Sequence, residues 1–197
     1  ALCCCALVPA VFGPTRPAGP EIWPSNLAEA RRLTGGGKGR PGTESYSYSA
    51  NFAVALSGRA IRRVGRIWAD GRLLRGSAGD FKVATGFRLH EGTEDQPVDP
   101  LIASVEGARA SAFRGIAYAV FEGLALAEFG NRIPQLTFEV EADSGPVSCD
   151  GIARALSPVV RPGDAGMRVA GFAASGGSVR AVLEMLAGMS GGQWVAE

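Results

Sequence analysis

The stretch FRGIAYAVFEGLALAEFGNRIPQLTFEV, residues 113–140, decides the fold. Ile116, Tyr118 and Val120 alternate with Ala117, Ala119 and Phe121, so an extended segment here is apolar on both faces and predicts an interior strand covered on both sides. Leu136, Phe138 and Val140 alternate instead with Thr137, Glu139 and Glu141, the pattern of a strand with one face on a core and one in water. Between them, Phe129-Gly130-Asn131-Arg132-Ile133-Pro134 breaks regular structure. Gly-Asn favours positive backbone dihedrals, and Pro134 keeps Ile133 out of the helical region. The expectation is an ordered turn in which Arg132 bonds backbone carbonyls or an acid, not a ligand.

Outward from this stretch the same periodicity recurs. Tyr46, Tyr48, Ala50, Phe52, Val54 and Leu56 share one face of a strand, opposite Ser47, Ser49, Asn51, Ala53 and Ala55. Residues 61–68 pair with Arg72-Leu73-Leu74 through Asp70-Gly71, a favoured tight hairpin turn. A further strand is expected over 81–89, and two short ones over 8–13 and 21–23. Helices are few. Asp99-Pro100 starts one that Gly107 ends, Ser148 caps a second through Leu156, and a third runs from Ser178 to near Gly188. The fold class is therefore α+β and predominantly β, a β-sandwich or barrel body with a small α+β C-terminal part. The chain divides into N-terminal strands and a Gly-rich loop (1–45), a β-rich domain (46–145) and a small α+β segment (146–197).

Composition excludes several classes of function. With 197 residues, 46% hydrophobic and 20% charged, the chain can build an ordinary core. A net charge of +1 gives no electrostatic case for nucleic-acid binding, and no apolar run is long enough to span a bilayer. The 28 glycines and 12 prolines favour turns and short strands over a helical bundle. Ala1 is not an initiator methionine, and the sequence reads as a processed product or a segment of a longer protein. The apolar residues 1–12 lack the basic start and small-residue cleavage site of a signal peptide.

No catalytic, cofactor or metal site emerges. Cys3, Cys4 and Cys5 are consecutive and Cys149 is remote, which fits neither a zinc spacing nor a disulfide scaffold; reduced, buried thiols are the simpler reading. Thr34-Gly-Gly-Gly-Lys-Gly-Arg-Pro-Gly42 is a flexible loop by composition. It is no phosphate loop, because Arg32 stands where that motif needs glycine and Gly39, not Ser or Thr, follows Lys38. His90 is the only histidine, and no nucleophile elbow surrounds any serine. Glu94, Asp95 and Asp99 are the candidates for a glycosidase pair, but they lie in a Pro-containing loop where acids are simply soluble.

Arg114-Gly115, Ala117-Tyr118, Phe121-Glu122, Phe129-Gly130-Asn131-Arg132-Ile133-Pro134 and Phe138-Glu139-Val140 resemble a signature of tail-tip proteins from long-tailed phages and gene transfer agents, of the lambda host-specificity type. The SYSYSANFAVAL and VGRIWADG segments and the residues from Val8 to Trp23 resemble the same family, in order, over most of residues 8–141. Phe113, Arg114, Gly115, Tyr118, Phe121, Glu122, Phe129, Gly130, Asn131, Arg132 and Pro134 carry that structural signature. The resemblance implies a noncatalytic baseplate or tail-tip hub protein, a homotrimer closing the distal end of the tail tube. It further implies host attachment, DNA delivery, and neighbours among tail-tip, distal-tail and tape-measure proteins and transiting DNA. The place implied is the virion or gene-transfer-agent particle, after synthesis in the bacterial cytoplasm. A carbohydrate- or receptor-binding module using Tyr46, Tyr48, Trp23 or Trp68, and part of a cell-wall glycoside hydrolase, are the alternatives.

Charge is segregated along the chain. Residues 59–88 hold Arg59, Arg62, Arg63, Arg66, Arg72, Arg75, Lys82 and Arg88 against two aspartates, while Glu91, Glu94, Asp95, Asp99 and Glu106 follow without an intervening Lys or Arg. Alone, such blocks describe solvated surfaces. In a ring of identical subunits, contacts are heterologous, and Arg59, Arg62, Arg63 and Arg66 facing Glu94, Asp95 and Asp99 are the expected subunit interface.

Overall fold

A computed structural model describes residues 8–24, 27–34, 43–161, 166–176 and 178–191. The three consecutive cysteines and most of the Gly-rich loop lie outside the described residues. In chain order the strands are β1 (Ala10–Phe12), β2 (Pro14–Thr15), β3 (Glu21–Pro24), β4 (Ala28–Thr34), β5 (Thr43–Ser57), β6 (Arg63–Ala69), β7 (Arg72–Arg75) and β8 (Gly86–His90). Helix α1 (Pro100–Glu106) precedes β9 (Ala117–Ala125) and β10 (Leu136–Glu141). The C-terminal part comprises β11 (Val147–Ser148), α2 (Cys149–Leu156), β12 (Arg168–Val169), β13 (Phe172–Ala174) and α3 (Val179–Ser190). The fold is α+β and predominantly β.

Two antiparallel sheets make the body. One has the order β3-β5-β9-β8, with β4 also paired to β5; the other has the order β2-β10-β6-β7. As the alternation predicts, β9 is an interior strand. Ala117, Ala119 and Phe121 face the core between the sheets, while Tyr118 and Val120 face outward beneath α1, packed with Trp23, Ala53 and Ile102. Phe52 and Val54 of β5 and Leu136, Phe138 and Val140 of β10 fill the same inter-sheet core. Registers Phe52↔Phe121 and Phe87↔Phe121 align three rings across the first sheet. The Phe52 ring stacks on Phe121 at 5.0 Å, and Phe87 meets it edge-on at 5.4 Å. Each large side chain removed from water in this way contributes about 1.5–3 kcal/mol.

Local chemistry sets the element ends. Asp70 and Gly71 both adopt positive φ, 48° and 81°, as the two-residue turn between β6 and β7 requires. The Asp99 side chain caps α1 through the Leu101 N–H at 2.9 Å with Pro100 in the first turn, and Ser148 and Ser178 cap α2 and α3. The C-terminal part has its own core of Cys149, Ile152, Val169, Val182, Leu183 and Leu186, completed by Phe12 from β1. Burial first of all raises the pKa of the Cys149 thiol. Strand β1 ties the two cores together: Val11 faces the body and Phe12 the C-terminal part.

One of these expectations needs correction. The strand expected over 81–89 is confined to residues 86–90. Phe81 makes only a single bridge to Arg75 and turns its ring onto Phe87 at 5.4 Å, so residues 81–85 wrap the sheet edge instead of joining the ladder. The two short strands expected over 8–13 and 21–23 form as β1 and β3, β1 pairing with β13 and β3 with β5. The third helix stops two residues past Gly188. It runs to Ser190 and ends at Gly191, whose φ of 71° and N–H bond to the Ala187 carbonyl make the cap. A glycine inside a helix costs only about 1 kcal/mol, so Gly188 is tolerated.

Candidate assembly surfaces and the signature loop

The signature loop is an ordered turn held by the hairpin opposite it. After the 3-10 turn Ala127–Phe129, Gly130 and Asn131 take left-handed φ values of 65° and 57°, and the Asn131 N–H returns to the Leu126 carbonyl at 3.0 Å. Arg132 donates from Nη2 to Asp70 Oδ2 at 2.7 Å, and the Gln135 N–H donates to Asp70 Oδ1 at 3.0 Å. The Asp70 N–H bonds the Gln135 carbonyl in return at 2.9 Å. The β6–β7 turn and the loop thus lock onto each other through one aspartate. The Arg132 side chain is 62% exposed, so its ion pair is a surface pair contributing about 0.2–1 kcal/mol. Arg132→Ala is accordingly expected to lower stability by no more than about 1 kcal/mol in denaturant unfolding. A loss above about 3 kcal/mol would show that the loop depends on this side chain far more than its exposure allows.

The rest of the signature is structural in its contacts. Phe113 adopts a φ of 47° and meets Tyr118 edge-on at 5.4 Å. Gly115, with φ of 74°, lies where an added Cβ would come within 3.0 Å of Glu94 Oε1. Glu122 receives Arg88 at 2.6 Å. Gln96, 5% exposed, organises the loop before β9: it accepts from the Gly92 N–H at 2.9 Å and its amide nitrogen reaches the carbonyls of Ala112, Phe113 and Ile116. Sequence reading missed Gln96, because nothing in its neighbours marks a buried amide.

The lone histidine and the aspartate nine residues later meet in a buried network. Asp99 is 0% exposed. It accepts from Arg88 Nε and Nη2 at 2.8 and 3.1 Å and lies 2.9 Å from His90 Nε2. The His90 ring stacks on Tyr118 at 4.3 Å. Burial alone would raise the Asp99 pKa, but the bonds from Arg88, His90 and the Leu101 N–H outweigh it and hold the carboxyl at about 2. Tyr118 is pushed up to about 12, by burial first and by the Asp99 charge second. A carboxylate so firmly ionised is a poor general acid.

Of the residues expected at a subunit interface, Arg62, Arg63 and Arg66 are exposed and Arg59 is half-buried. Asp99 is buried and drops out of the acidic surface, leaving Glu94 and Asp95 exposed. Arg59 is committed within the chain: it grips Asp143 with two bonds, at 2.8 and 3.0 Å, bonds the Val11 carbonyl at 2.9 Å and lies over the Phe12 ring at 4.5 Å. Arg63 pairs with Glu141 and Arg66 with Glu139 across β6 and β10. Arg62 and Arg72 are exposed and form no ion pair among the described residues. Of the aromatics proposed as a sugar platform, Trp23 is 5% exposed and donates its indole N–H to Glu106 at 3.3 Å. Trp68 lies under the Arg16 guanidinium at 3.5 Å, so Tyr46 alone stands well exposed. Among the described residues no cluster of three or more His, Cys, Asp or Glu could hold a metal ion.

The sequence matches no known family profile and no curated protein. The fold is similar to a solved chain described as the virion of a native gene transfer agent particle, with a TM-score of 0.70 and 28% identity over 96% of this chain. The match spans 49% of that chain, so the present sequence corresponds to about half of its solved neighbour.

Proposed function

We propose that this chain is a structural component of a gene-transfer-agent or phage-like particle, within the tail-tip or baseplate hub at the distal end of the tail tube. The observation that carries this reading is the likeness to a gene-transfer-agent virion chain along 96% of the sequence, at an identity of 28%. The geometry agrees with a scaffold. Two sheets share an aromatic core, the signature loop is pinned by a hairpin, and the buried Asp99 is held by Arg88 of the neighbouring strand.

In this reading the sandwich packs against copies of itself in a trimeric ring and contacts the distal-tail and tape-measure proteins. The ring seals the tube until host attachment rearranges the tip and lets DNA pass. The segment has no catalytic step of its own. Arg62 and Arg72 are the charges of the former basic block left available to a neighbour. Deleting the gene segment in the producing cell is expected to give capsids and tubes that lack density at the distal tip and deliver no DNA, with three copies per tip restored on complementation. Particles with normal tips and undiminished delivery after the deletion would sink the proposal, as would turnover of peptidoglycan by the purified chain.

A further inference from the structure

Strand β9 reaches β5 only from Ser49 to Ser57, so residues 43–48 of β5 have β4 as their one strand partner among the described residues. The departure is built in. Leu124 pairs with Ala50 and Phe121 with Phe52, which sets Glu122 and Gly123 against Asn51 alone, a bulge. Gly123 takes a φ of 64° and donates its N–H to Asn51 Oδ1 at 2.7 Å. Beyond this bend β4 and β5 continue as a two-stranded ribbon, which is marginal in water without further pairing.

The ladder decides which backbone groups β4 offers. The Tyr48 carbonyl accepts from the Leu126 N–H on the β9 side at 2.9 Å, so the adjacent Ser47 and its partner Ala30 turn their backbone groups toward each other. Glu29 and Arg31 therefore direct N–H and C=O to the outer edge of β4, where no described strand pairs. Residues Ala28 to Arg31 are exposed.

Charged residues on an edge ordinarily guard it, because like charges set directly opposite each other repel a second edge. The edge strands β7 and β8 follow that rule: antiparallel pairing of β7 with itself sets Arg72 against Arg75, and of β8 with itself sets Arg88 against Arg88. Strand β4 does the reverse. Centred on Ala30, it sets Glu29 of each copy against Arg31 of the other. In that register Ala30 meets Ala30 as a non-hydrogen-bonded pair, and the two Glu29–Arg31 pairs exchange the backbone bonds. The Glu29 carboxylate accepts the Tyr48 hydroxyl and keeps acceptor capacity for a guanidinium.

We propose that the outer edge of β4 is a docking edge for a second copy of this chain, the two strands pairing antiparallel about Ala30. The contact is isologous and has no place in a three-fold ring, so it joins free copies and does not depend on the virion reading. A single strand pair is a small interface, and the dimer it makes is weak and reversible.

Sedimentation velocity of the purified chain over a concentration series tests the pairing, with a reversible monomer–dimer equilibrium expected. Glu29→Arg sets like charges against each other twice and should weaken the dimer about tenfold or more. Combining it with Arg31→Glu restores the complementarity and should bring the dimer back to within about threefold of wild type. Circular dichroism should be unchanged in both. Should Glu29→Arg fail to fold, Arg31→Glu alone makes the same mismatch and takes its place. Ala30→Cys should oxidise to a dimer that peptide mapping finds linked through the substituted residue, since such pairs bring Cα atoms to about 4.5 Å. Ala28→Cys, about 14 Å from its counterpart in this register, should not. Monomers or trimers at every concentration would overturn the proposal. So would a charge swap as weak as the single variant, or linkage as ready in Ala28→Cys as in Ala30→Cys. None of these outcomes touches the likeness to the virion chain.

Discussion

Asp99→Ala is expected to destabilise the protein by about 3–5 kcal/mol, because it leaves Arg88 and His90 facing a buried void where a carboxylate stood. Asp99 is fully buried and joins two elements: its side chain caps α1, and it binds Arg88 of β8 and meets His90 at the end of that strand. Arg88 is also held by Glu122, at 2.6 Å, a partner the substitution leaves in place, which puts the expected loss toward the lower end of the range. Acid offers a second reading of the same contact. The folded carboxyl titrates at about 2, below its value in an unfolded chain of about 4. Its contribution is therefore present in full above about pH 4 and is lost as pH falls from there through about 2, roughly 2–3 kcal/mol in all. Urea denaturation from pH 6 to pH 2 should show a steep acid limb in the wild type and a shallower one in Asp99→Asn. A loss under about 1 kcal/mol in Asp99→Ala, or identical acid limbs, would mean the network contributes little.

Why Asp99 escaped the sequence reading is instructive. As a helix cap it was legible, since Asp-Pro before an apolar run is a local signal and the structure forms that cap. Its burial was not legible, because the partners that neutralise it arrive from β8, whose placement beside β9 depends on long-range pairing. The same limit explains the charge blocks. Arg63 and Arg66 look unpaired along the sequence, while Glu141 and Glu139 lie more than seventy residues away and become neighbours only when β6 and β10 pair. By contrast β9, β10 and the Asp70-Gly71 turn were readable, since alternation and turn chemistry act over a few residues. The signature loop stands between these cases: its left-handed Gly130-Asn131 was legible, its lock onto Asp70 was not.

Phe121 is the residue on which the body depends most, and Phe121→Ala is expected to cost about 3–5 kcal/mol. Its ring is fully buried and touches Phe52 and Phe87 within its own sheet and Phe138 at 6.3 Å in the facing one, so it is the point at which both sheets meet. Truncation removes the transfer free energy of the ring and opens a cavity that two hydrogen-bonded sheets cannot easily collapse to fill. Phe121→Leu keeps most of the volume and should cost about 1–2 kcal/mol, the gap between the two variants measuring the cavity and not merely the lost aromatic contact. The arrangement also separates scaffold from surface. If the chain works by holding a shape, Phe121→Ala should reduce the folded fraction and particle assembly together, with assembly restored by conditions that restore folding. Chemical denaturation alongside particle counts would follow both. A variant that stayed folded within about 1 kcal/mol of wild type would show that the aromatic cluster is not the centre of the core.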